Sequence, residues 1–189
     1  MPLYRVALRL TGQHTDAEDL VQDTILKAFQ AYDRSCFDGP AGMRRWIFRI
    51  MTNTFRDRYR RKARTPEVQF PVMEHDPDSN VIELVPSTEL GPAHLAERKQ
   101  ILEAIQIATD SLPPEVRLAV TLFFVEGCSY QEIAEITGCP IGTVMSRLSS
   151  GRITLRKKLS HFLDENPKSS ARKNLQRVCA GNARNGDAL

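Results

Sequence analysis

Residues 128–158, CSYQEIAEITGCPIGTVMSRLSSGRITLRKK, constrain the fold of this chain more than any other stretch. Ser129-Tyr130-Gln131-Glu132 has the pattern of a capping box, in which Ser caps the first turn and Glu reaches back. It opens a short helix with Ile133, Ala134 and Ile136 on its core face. Gly138-Cys139-Pro140 makes a turn, and Ile141 to about Leu163 reads as a second helix with Val144, Leu148, Leu155 and Leu159 inward. Two helices joined by so short a turn form a helix-turn-helix, with the second helix placed to enter the major groove of DNA. Gly142 is expected to let the two helices approach closely. Thr143, Met145, Ser146, Arg147, Ser149 and Ser150 include the outward positions, where Ser and Thr can donate to bases or phosphates. Arg147 and Arg152 suit guanine edges or phosphate. Arg156, Lys157 and Lys158 would follow the backbone and make binding salt-dependent. The plainer alternative is a helical protein-binding module with a basic end.

Preceding this motif, Leu95, Leu102, Ile105 and Leu112 space as one helix face. Pro113-Pro114 ends that helix, and Pro114 suits the first turn of the next. Val116, Ala119, Val120 and Phe123 continue with helical period until Gly127.

The chain is 189 residues long, enough for one or two small domains, and its formal net charge is only +3. Distribution of charge says more than the total. Between Arg44 and Arg64 there are nine basic residues and one acidic residue, Asp57; Thr65 to Glu97 holds no Lys or Arg but seven acidic residues. Residues 65–92 also carry Pro66, Pro71, Pro77, Pro86 and Pro92, which fits an extended linker. Residues 164–189 are polar, without apolar period, and read as a mobile tail.

The N-terminal part begins with an apolar helix from Tyr4 to Leu10. Thr15-Asp16-Ala17-Glu18 has the pattern of a capping box. The helix after it places Val21, Ile25, Ala28 and Tyr32 on one core stripe, with Leu20 and Phe29 beside it. Asp16, Asp19, Gln22 and Asp23 fall on the other side, which periodicity alone reads as solvated. A turn at 37–42 precedes a long helical segment in which Met43, Trp46, Ile47 and Ile50 point to a core. Thr52-Asn53-Thr54 could break or re-cap that helix. Phe55 and Tyr59 interleave with Arg56, Arg58, Arg60 and Arg61, a mixture suited to stacking on unpaired bases beside a phosphate track.

Together, DAEDLVQDTILKAFQAYDR, MRRWIFRIMTNTFRDRYRRKAR and LPPEVRLAVTLFFVEGCSYQEIAEITGCPIGTVMSRLSSGRITLRKKL resemble an extracytoplasmic-function sigma factor over roughly residues 3–163. The resemblance implies an all-α protein of two small helical domains: region 2 at 1–64 and region 4 at 93–163, joined by the acidic linker. It implies binding to core RNA polymerase through Asp16, Asp19, Gln22 and Asp23. It implies opening of the −10 element by Asn53, Arg56, Arg58, Tyr59, Arg60 and Arg61, with a base flipped out near Asn53. It implies reading of the duplex −35 element by Tyr130, Gln131, Thr143, Met145, Ser146, Arg147, Ser149, Ser150 and Arg152. Family members often carry an aromatic or His followed by Arg where this chain has Ser149-Ser150, so contacts there are expected to be weaker. An anti-sigma partner is also implied. The GTVMSRLSSGR and MTNTFRDRYRRKAR stretches are most similar to members held by zinc-binding, redox-responsive anti-sigma factors.

A stand-alone helix-turn-helix regulator is the alternative, but it leaves the basic block at 44–64 unexplained. An enzyme has no support, since no nucleophile turn, phosphate-cradling glycine loop or HExxH appears. No cofactor is implied. The four cysteines form no CxxC pair, which argues against a zinc site and for thiols in a reducing cytoplasm. No apolar run reaches about 18 residues, so no membrane insertion is expected.

Overall fold

A computed structural model describes residues 2–32, 37–64 and 92–165, with no side-chain description at 92–98 and 161–165. Most of the expected linker, the tail from residue 166, Cys36 and Cys179 lie outside the described residues. Seven helices and no strand occur among the described residues: α1 (Pro2–Thr11), α2 (His14–Ala31), α3 (Gly39–Arg64), α4 (Pro92–Asp110), α5 (Pro114–Phe124), α6 (Tyr130–Thr137) and α7 (Ile141–Glu165). The all-α class implied by the resemblance is the class found among the described residues.

Helices α1, α2 and α3 pack in sequence against one another, and α4, α5, α6 and α7 form a second group around α7. The two groups also meet, with α3 against α6 and α5, and α1 against α4 and α5. Buried apolar side chains from both groups join into one cluster, from Val6, Leu10 and Leu20 to Leu118, Ile133 and Leu148. Burial of these side chains is the main stabilising term.

Three expectations about the N-terminal group are corrected. Thr15 does not cap α2: the helix starts two residues earlier than that cap would place it, at His14, with Gln13 at the cap and no side-chain capping bond. Tyr4 Oη lies 2.5 Å from His14 Nδ1 and ties this start to α1. Secondly, the core stripe of α2 is Ala17, Leu20 and Thr24, whereas Ile25, Phe29 and Tyr32 are exposed. Thirdly, α3 buries Phe48, Met51, Thr52, Thr54 and Phe55; Met43 is exposed, and Trp46, Ile47 and Ile50 are only half-buried. Trp46 stacks against Phe37 at 4.7 Å between ring centres.

Helix α3 also runs unbroken through Thr52-Asn53-Thr54. The Thr54 hydroxyl donates to the Ile50 carbonyl of its own helix and accepts from Lys27 Nζ of α2. Neighbouring packing thus removes the local competition that would otherwise disfavour helix here.

Candidate nucleic-acid interface

The helix-turn-helix is assembled by local bonds. Ser129 Oγ accepts from the Glu132 backbone N–H at 3.2 Å, and the Ser129 N–H donates to Glu132 Oε2 at 2.8 Å. These bonds hold the Glu132 carboxyl below the usual range. Gly138 ends α6 at φ +67°, a left-handed conformation that glycine adopts without steric cost. Gly138 and Cys139 N–H both donate to the Ala134 carbonyl. Val144, Leu148, Leu155 and Leu159 are buried as expected.

The glycine that allows close helix approach is not Gly142, which is exposed with open space around it. It is Gly151, where α7 lies against α5: a Cβ there would fall 2.5 Å from Val120 Cγ2. Gly142 sits on the free side of the first turn of α7, while Gly151 is two turns further along, at the crossing.

On α7, Met145, Ser146, Ser149 and Ser150 are exposed, while Thr143 and Arg152 are half-buried. Gln131 is exposed and bonds Glu135. Tyr130 packs on Phe123 at 5.4 Å between ring centres, so much of it serves the core. Arg147 does not project freely. Its Nη1 pairs with Glu115 Oε2 at 3.0 Å and also meets Cys139 Sγ at 3.5 Å.

On α3, Asn53 and Tyr59 are exposed, whereas the arginines around them are engaged. Arg56 forks onto Glu115, Nε to Oε1 and Nη2 to Oε2 both at 2.7 Å, and Nη1 donates to the Thr137 carbonyl at 2.9 Å. These hydrogen bonds hold the Glu115 carboxyl below the usual carboxylate range. Arg58 pairs with Asp23 at 2.6 Å, Arg60 with Asp57 at 3.2 Å, and Lys62 with Asp16 at 3.0 Å. Arg61 is exposed.

Of the four polar residues singled out on α2, Asp16 and Asp23 are therefore ion partners of α3, while Asp19 and Gln22 are exposed. Beside them lies a feature that periodicity misassigned. Ile25, Leu26, Phe29 and Tyr32 are 56%, 61%, 83% and 53% exposed, a contiguous apolar strip of the kind that marks an interaction surface. The signal was present in the sequence: α2 has apolar residues on two ridges, and only one can face α1 and α3.

Cys128 is buried at the start of the helix-turn-helix, and burial pushes its thiol up to about 11. Among the described residues, no helix is long and apolar enough to cross a membrane.

This arrangement is a helical protein with a basic helix in one half, a helix-turn-helix in the other and a separate exposed apolar face. Family comparison sharpens the class. Residues 2–65 match the model for sigma-70 region 2, and residues 102–155 match that for sigma-70 region 4. The chain is 37% identical to the ECF RNA polymerase sigma factor SigE of Mycolicibacterium smegmatis, across 89% of this chain and 61% of that protein. It is 34% identical to the ECF sigma factor EcfG of Rhodopseudomonas palustris, across 79% and 74%. Among solved structures, it resembles the sigma factor RpoE of Bartonella quintana in complex with the anti-sigma factor NepR, with TM-score 0.61, 29% identity, and 84% of this chain and 89% of that chain covered. A second is CnrH in complex with the cytosolic domain of CnrY, with TM-score 0.57, 25% identity, and 85% and 81% covered. The chain belongs to the extracytoplasmic-function sigma factors of the sigma-70 family. Members of this family are transcription initiation factors, not enzymes in general.

Proposed function

We propose that this protein binds core RNA polymerase and directs it to specific promoters, leaving the chemistry to the polymerase. The observation that carries this reading is the exposed strip Ile25, Leu26, Phe29 and Tyr32 beside Asp19 and Gln22, on the same helical unit as the basic α3. A stand-alone regulator needs the helix-turn-helix but no such second docking face. In this reading Asp19, Gln22 and the apolar strip meet the polymerase, with Asp16 and Asp23 at the margin. Asn53, Arg56, Arg58, Tyr59, Arg60 and Arg61 engage the opened −10 strand, where stacking and phosphate contacts offset the unstacking cost. Exposed Met145, Ser146, Ser149, Ser150 and Gln131, with Thr143, Arg147, Arg152 and the rim of Tyr130, read the −35 duplex. Regions 2 and 4 would then correspond to 1–64 and 93–163, joined by the linker.

The protein would work in the cytoplasm, where the polymerase is. An anti-sigma factor is its proposed regulator, supported by the two structural neighbours solved with such partners. A zinc-binding, redox-responsive partner in a stress response is the finer form of this reading, and it rests on the two sequence stretches named above.

Run-off transcription on a promoter library, by core polymerase with and without the purified protein, tests the main claim. Promoter-specific transcripts that require the protein are expected. Absence of such transcripts, with tight duplex binding by the protein alone, would overturn it.

A further inference from the structure

The start of α7 carries an uncommon set of side chains for a helix that meets base edges. Over residues 141–150 the exposed positions are Ile141, Gly142, Met145, Ser146, Ser149 and Ser150. None of these carries a guanidinium, an amide or a carboxylate. In the major groove guanine is read by Arg or Lys, adenine by Asn or Gln, cytosine by Asp or Glu, and the thymine methyl by an apolar side chain. Of these four kinds of reader, the exposed start of α7 holds only the last.

The other polar groups nearby do not change this. Serine hydroxyls discriminate weakly between bases, and Ser146 Oγ already donates to the Thr143 carbonyl at 2.9 Å. Gln131 belongs to α6, and in this motif the first helix crosses the phosphate backbone. Arg147 leaves α7 on another side from Met145, since two residues along a helix turn by about 200°. Arg152 and the basic residues after it follow later on α7, past the N-terminal part that contacts bases.

Met145 is 48% exposed, and Ile141, one turn earlier on the same side, is 41% exposed. Gly142, with open space where its Cβ would lie, and the three serines keep the surrounding surface low. The helix can therefore sit deep in the groove, with the longer Met145 reaching furthest. A flexible, polarizable thioether adapts readily to the shape of a methyl group.

We propose that Met145 reads the C5-methyl of a thymine in the −35 duplex and is the main source of base selection by α7. This rests on the reading of α7 as the −35 helix and names the base it selects.

The test uses holoenzyme, assembled from core polymerase and the full chain, on a promoter selected by the run-off library. Each −35 thymine is replaced in turn by uracil, which removes the methyl and leaves base pairing intact. Competition binding of the promoter DNA is the readout. Uracil at one position should weaken the wild-type complex about four-fold, the effect of one buried methyl. Met145→Ala should bind the thymine and uracil promoters equally. Ile107→Ala, which removes a 62% exposed apolar side chain from α4, should keep the full uracil penalty. A wild-type complex indifferent to uracil at every position would overturn the proposal without recourse to any variant. So would a uracil penalty that persists in Met145→Ala, or a selected −35 element with no thymine on either strand. The run-off assay decides separately whether the protein directs polymerase to promoters; the uracil series bears only on the methyl contact.

Discussion

Arg58 of α3 donates to Asp23 of α2 through Nε at 3.0 Å and Nη2 at 2.6 Å. One residue assigned to DNA and one assigned to polymerase are thus a single structural unit. Both are partly exposed, so the pair is modest. Asp23→Asn and Arg58→Gln should each cost ~0.5–1 kcal/mol, and the double variant less than the sum. Urea denaturation of the four proteins measures this; strictly additive losses would mean the pair contributes nothing.

The two glycines of α7 should respond oppositely to alanine. Gly151→Ala drives a methyl into Val120 and Val116 where α7 crosses α5, and should destabilise by about 1–3 kcal/mol. Gly142→Ala faces open space and should be neutral or stabilising by up to about 1 kcal/mol, the helix-propensity difference. Denaturation midpoints of the two variants decide the matter.

The exposed face of α2 should be functional rather than structural. Phe29→Ala removes an 83% exposed ring, so stability should change by less than about 0.5 kcal/mol while affinity for core polymerase falls at least ten-fold. Leu20→Ala, on the buried face of the same helix, should instead cost about 2–5 kcal/mol. Polymerase pull-down with a titrated competitor, alongside thermal melts, separates the two faces.

Acid should weaken the protein through identifiable carboxylates. Glu115, bonded by Arg56, and Glu132, bonded by Ser129, are both held below their ordinary 4.5. A carboxylate depressed in the folded state adds stability above its unfolded value, and loses it as pH falls through the folded value. The stability gap between wild type and Glu132→Gln should therefore be widest at neutral pH and shrink below about pH 4.5. Glu115→Gln should show the same closing gap. Denaturant titrations across pH measure both, and a gap independent of pH would remove these groups as the cause.

The sequence by itself determined the features set within a few residues. Ser129-Tyr130-Gln131-Glu132 caps α6, Gly138 ends it, Pro114 starts α5, and the spacing of Val144, Leu148, Leu155 and Leu159 fixes the buried side of α7. Local hydrogen bonds and backbone preferences act without knowledge of the rest of the chain, so they can be read from it. Tertiary structure decided what depends on neighbours distant in sequence. It turned Leu20 inward and left Ile25 and Phe29 outward, because only one ridge of α2 meets α1 and α3. It made Gly151 rather than Gly142 the crossing point, and it drew Arg56 and Arg147 onto Glu115. Helical periodicity shows that a helix has an apolar side; which side is covered, and which opposite charges meet, follows only from how the helices are placed against one another.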